Sequence, residues 1–144
     1  MALTNLACVL AAVGRHTEAT SLAEQSWRIL KVRPDANPAT VIKTLTTLGV
    51  LSSLTGCSPS AAAYLEAALN QAETSYGPNH PFVAYVLGNL AASMRRCGNG
   101  NKARPMEARA KSILNQNARA NNLRYSVDIQ TLLPSRATGG HNRR

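Results

Sequence analysis

The sequence predicts an all-α chain in which three helix-turn-helix units stack into a right-handed superhelix. Three observations carry that prediction. The chain aligns with itself at a shift of 42 residues. Each unit holds two apolar stripes at helical spacing with a glycine between them. The composition is 44% hydrophobic but only 4% aromatic, a mix rich in Ala and Leu that suits closely packed helices better than a β-sandwich.

The repeat is legible column by column. Leu3, Leu45 and Leu87 coincide, as do Leu6, Leu48 and Leu90. Ala7, Gly49 and Ala91 are all small, and Gly14, Gly56 and Gly98 fall together. Ala19, Ala61 and Ala103 follow, then the large apolar Leu22, Tyr64 and Met106, then the small Ser26, Ala68 and Ala110. Pro38 and Pro81 are offset by one further residue.

Within the third unit, Val83, Val86, Leu87, Leu90, Ala91 and Met94 follow the i, i+3, i+4 rhythm of one helical face. Gly98 ends that helix where a left-handed residue is wanted. A second stripe runs through Ala103, Met106, Ala110, Ile113 and Leu114. The second unit repeats the plan, with Gly56 between its stripes. The predicted helices are 2–13, 17–32, 39–55, 60–75, 82–97 and 102–120. Short side chains at the repeated small positions let paired helices approach closely. One such pair cannot bury both faces, whereas stacked pairs can, which makes a solenoid with a concave face.

The run Tyr76-Gly77-Pro78-Asn79-His80-Pro81 reads as punctuation. Gly77 stops a helix, His80 occupies the N-cap position, and Pro81 opens the next helix with a fixed φ and no wasted N–H. On this reading the binding chemistry lies one turn onward, at Tyr85 and Asn89.

These columns resemble the tetratricopeptide repeat, in particular the long repeats of the kinesin light chain type. Asn5-Leu6-Ala7, Gly14 and Glu18-Ala19 carry the resemblance in the first unit. Asn89-Leu90-Ala91, Gly98, Ala103, Pro105 and Arg109-Ala110 carry it in the third, with Gly77 to Pro81 before them. The middle unit departs from it, with Thr47-Leu48-Gly49 in place of Asn-Leu-Ala. The resemblance implies a repeat domain over 1–120, with repeats about 1–37, 38–80 and 81–120, forming the C-terminal part of a longer array. It also implies a scaffold that binds an extended peptide or a partner protein along its concave face.

Counting helical faces from the small residue, that face takes Asn5, Lys43, Thr47, Tyr85, Asn89, Arg95 and Arg96, with Thr4, Cys8, Thr46, Val50, Gly88 and Ala92 beside them. The amides of Asn5 and Asn89 can bond a peptide backbone through both donor and acceptor. Lys43, Arg95 and Arg96 favour acidic peptides.

The net charge of +9 is concentrated at one end. Nine basic and two acidic residues lie beyond residue 100. An acidic partner, nucleic acid included, is the alternative that this asymmetry raises. The alternation Leu123, Tyr125, Val127, Ile129 predicts an extended capping segment over 121–133, and 134–144 reads as a disordered basic tail.

Chemistry of other kinds finds no motif. His16, His80 and His141 have no ligand-spaced partner, so neither a metal nor a cofactor is expected. No phosphate loop, nucleophile elbow or paired carboxylate appears, and the chain reads as non-enzymatic. No apolar run reaches membrane-spanning length, and residues 1–14 lack the basic start of a signal peptide. Cys8, Cys57 and Cys97 are odd in number and widely spaced. They predict free thiols in a reducing, cytoplasmic setting.

Overall fold

Helix boundaries follow local chemistry. The computed structural model describes residues 2–132, with side chains described over 2–121. It contains α1 (Ala2–Ala12), α2 (His16–Leu30), α3 (Pro38–Thr55), α4 (Pro59–Tyr76), α5 (Pro81–Arg96) and α6 (Gly100–Leu132). Proline opens α3, α4 and α5, where its missing N–H costs nothing. Asn37 caps α3 by accepting from the Ala39 N–H at 2.9 Å. His80 Nδ1 accepts from the Phe82 N–H at 3.1 Å and caps α5. Gly98 takes φ 78° just past α5, the left-handed turn that only glycine adopts cheaply.

The five predicted helices up to residue 97 match within two residues at each end. The sixth does not. An extended segment was expected from 121, yet α6 runs unbroken through Leu132. No Gly or Pro occurs between Pro105 and Pro134, so nothing in the sequence stops the helix. An isolated strand would also lack a ladder partner. The tail expected over 134–144 lies outside the described residues.

Consecutive helices pack as hairpins, α1 with α2, α3 with α4 and α5 with α6, and α2 and α4 each also touch the first helix of the next unit. The first helices meet across units: α1 touches α3 and α3 touches α5. Among the described residues, the backbones of α2 and α4, and likewise of α4 and α6, do not approach closely, and α4 and α6 meet through side chains such as Glu73 and Arg109. First helices therefore converge while second helices splay, which places the concave side on α1, α3 and α5.

The core forms two clusters, one around Ile42, Leu45, Val83, Val86 and Leu87, the other around Ala7, Ala23, Leu48 and Leu51. Gly49 shows how tight the second hairpin is. A Cβ there would lie 2.5 Å from Leu65 Cγ and 3.0 Å from the Ala61 carbonyl oxygen. Polar groups buried between units are paired. Thr44 donates to the Thr40 carbonyl at 2.9 Å, so its oxygen accepts from Thr4 at 2.8 Å, and Ser26 lies 2.9 Å from Thr4. Three helices are thereby registered by one satisfied hydroxyl cluster.

Candidate functional site in the concave cleft

A cleft of about 450 Å³ opens where α1, α3 and the start of α5 converge. Thr4, Asn5 and Cys8 come from α1, Lys43 from α3, and His80, Pro81, Phe82 and Tyr85 from the next unit. Its walls are mostly apolar, and its size falls within the range of small-ligand sites. Lys43 is exposed and has no carboxylate partner among the described residues. By contrast, Glu18, Glu24, Asp35, Glu73 and Glu107 are each paired with an arginine. Tyr85 exposes 45% of its surface. Burial of the remainder raises its pKa, and Cys8 adds to the effect, so the hydroxyl remains a donor at neutral pH.

The cleft's far wall is built by the turn first read as spacing. Tyr76 stacks on His80 at 4.6 Å between ring centroids, and His80 lies 5.4 Å from Phe82. Helix α6 holds this turn from behind: Arg109 donates to the Pro78 carbonyl at 3.2 Å and Asn117 to the Asn79 carbonyl at 3.0 Å. Arg109 also pairs with Glu73 at 2.6 Å. The capping roles read for His80 and Pro81 hold, but both also line the cleft. Three aromatic rings within seven residues were the signal for that second role.

The residues expected on the concave face fall into two groups. Asn5, Lys43 and Tyr85 come together in the cleft, with Thr4 and Cys8. The others lie apart from it. Thr47 is buried, and its hydroxyl donates to the Lys43 carbonyl at 2.8 Å. Thr46 is also buried and bonds the Ile42 carbonyl. A helical threonine readily turns its hydroxyl back to the preceding turn, which face counting does not register. Asn89 donates to the Tyr85 carbonyl at 2.9 Å. Arg96 donates to Ser53 at 2.8 Å and ties the end of α5 to α3.

Arg95 is engaged elsewhere. Its Nε and Nη2 donate to Glu107 of α6, both at 2.6 Å. This hydrogen bonding chiefly holds the Glu107 carboxyl below its usual pKa, with the charges of Arg95, Lys111 and Arg104 adding to the shift. A depressed folded pKa contributes stability above the unfolded carboxylate pKa, and that stability is lost as pH falls through the folded value. The pair is exposed, so the effect on stability is small. In an NMR pH titration, Glu107 is expected to titrate below an ordinary glutamate, and Arg95→Gln to return it upward. Equal midpoints in both proteins would show that the pair does not form in solution.

The cysteine expectation is corrected. Cys57 and Cys97 form a disulfide, with Cα atoms 5.5 Å apart, and Cys8 alone is free. Their separation of 40 residues is close to the repeat length, so stacking sets one beside the other. That relation was visible in the sequence. With the pair bridged, the thiols no longer argue for a reducing compartment. No helix among the described residues is long and apolar enough to cross a membrane.

Comparison with known proteins agrees with this architecture. No curated protein matched the chain. Two family models described as tetratricopeptide repeat match it, one over residues 40–116 and one over residues 1–32. The first spans the second and third hairpins and more than half of the chain, and the second spans the first hairpin. With three stacked hairpins, converging first helices and these matches, the chain belongs to the tetratricopeptide repeat family, whose repeats serve as scaffolds for protein–protein interaction.

Proposed function

We propose that this chain is a non-enzymatic scaffold that takes an extended, acidic segment of a partner protein into the cleft between α1, α3 and α5. The observation that carries this reading is the convergence of Asn5, Lys43 and Tyr85 from three units on one mostly apolar cleft. Lys43 supplies a cation with no internal partner among the described residues, which favours a carboxylate on the incoming segment. Asn5 supplies amide donor and acceptor groups, and Tyr85 supplies a hydroxyl donor beside an aromatic face.

The reading includes a longer array of the kinesin light chain type. Leu6 and Val9 are 49% and 59% exposed, whereas their counterparts Leu48 and Leu51, covered by the preceding unit, are each 1% exposed. A preceding hairpin would cover this α1 stripe in the same way. A cytoplasmic setting belongs to the reading on condition that the disulfide can be reduced there.

Capture from cell lysate with wild type beside Lys43→Glu and Tyr85→Ala, read by quantitative mass spectrometry, tests the cleft. Both variants are expected to lose the same set of clients, with Lys43→Glu losing them most completely at low salt. Full recovery by both variants would refute the cleft role. Nucleic-acid binding that falls steeply with salt, and that these variants leave intact, would move the function to the basic C-terminal end.

A further inference from the structure

Cys57 and Cys97 join two units at one end of the first helices. Cys57 lies in the turn after α3, and Cys97 caps α5. Beside them, Arg96 donates to Ser53 across the same junction. Among the described residues, the corresponding end of the junction between the first and second units has neither a disulfide nor an arginine contact across it. At the corresponding positions stand Arg15 and Thr55, and Arg15 pairs with Glu18 of its own hairpin. The clasp is therefore confined to the junction of α3 and α5, which form two of the three walls of the cleft.

The bridge is open to attack. Cys57 is exposed and Cys97 half-buried. A cavity of about 320 Å³ adjoins the pair, with Glu66, Met94 and Lys102 among its lining residues. Neither Glu66 nor Lys102 has an ion-pair partner among the described residues. The cavity thus offers one charge of each sign to a small zwitterionic thiol. Cys57 stands directly before the N-cap Ser58 of α4, whereas Cys97 caps the C-terminal end of α5. The partial positive charge at the α4 N-terminus stabilises a thiolate on Cys57 and so favours its release in the reduced form.

We propose that Cys57–Cys97 is a thiol-exchange site for a low-molecular-weight thiol of the glutathione class, and that exchange there sets how firmly α3 and α5 are held. A thiolate attacks Sγ of the exposed residue Cys57. A new sulfur–sulfur bond forms, the protein bridge breaks, and its electron pair leaves on Cys97 as a thiolate. A second thiolate attacks the exogenous sulfur of the mixed disulfide, which releases Cys57 and a small-molecule disulfide. Two electrons pass to the protein, and its thiolates take up protons according to pH. The small-molecule disulfide drives the reverse reaction. The exchange stands on its own, and its consequence for client binding rests on the cleft reading.

The test uses the full chain in glutathione buffers of graded ratio, with thiols trapped by alkylation and amide hydrogen exchange followed by mass spectrometry. The bridge is expected to be reduced by millimolar glutathione. Exchange at residues 53–60 and 93–99 should then rise by roughly tenfold or more, with residues 12–17 of the unclasped first unit unchanged. Cys57→Ser and Cys97→Ser should reproduce that pattern without added thiol. A bridge that persists in millimolar reduced glutathione would overturn the proposal, as would reduction without local change in exchange. The readout needs no client, so failed lysate capture with intact exchange would discard the cleft and keep this site.

Discussion

Replacing Leu65 by Ala is expected to lower stability by about 2–5 kcal/mol, and adding Gly49→Ala to that variant should restore part of the loss. Leu65 is fully buried, and its Cγ occupies the space that a Cβ on residue 49 would need. Gly49→Ala alone gains about 1 kcal/mol of helix propensity. It also forces a contact of 2.5 Å with Leu65 and one of 3.0 Å with the Ala61 carbonyl, and overpacking of this kind typically costs about 1–3 kcal/mol. The first unit shows the alternative solution, with Ala7 and Ala23 at the corresponding positions, both fully buried in one cluster. The double variant copies that pair. Urea unfolding of the four proteins gives the coupling directly. Strictly additive single effects would mean that α3 and α4 are not in the close contact described.

Loss of the disulfide is the second large effect. Cys57→Ser, compared with the oxidised wild type, is expected to lose up to about 4 kcal/mol, the chain-entropy value for a closed loop of this length. The separation is 40 residues, and the loop contains all of α4 and α5. In a stacked-repeat protein each unit is stabilised by its neighbours, so the loss should fall on the junction of the second and third units. Unfolding of the variant should become broader, with the third hairpin leaving first. Identical unfolding of variant and oxidised wild type would show that the clasp adds nothing to that junction.

The solenoid was legible because its signals are redundant. Leu6, Leu48 and Leu90 mark the same helical face in three units, and glycine separates the paired helices each time. The cap before α5 was legible for a local reason, since His80-Pro81 carries its conformation in two residues. What escaped was set by tertiary placement. Thr47 looks like a groove residue by face counting, yet its hydroxyl turns back to Lys43 of its own helix. Arg95 looks available until Glu107, twelve residues on, is folded against it. Cys57 and Cys97 look unrelated until the repeat length places them on adjacent units. His80 and Phe82 served the turn so well that their second role in the cleft went unread. The extended reading of 121–133 relied on four alternating apolar residues, and a breaker-free stretch overrode it.

The cleft as the place where a partner sits is the central claim. Its most direct test is a photocrosslinking side chain placed at Tyr85, compared with one at Leu114, which is exposed on α6. In lysate, crosslinked client is predicted from position 85 and not from position 114, with the signal at 85 suppressed by Lys43→Glu. Crosslinks that form from position 114 and not from position 85 would contradict the account.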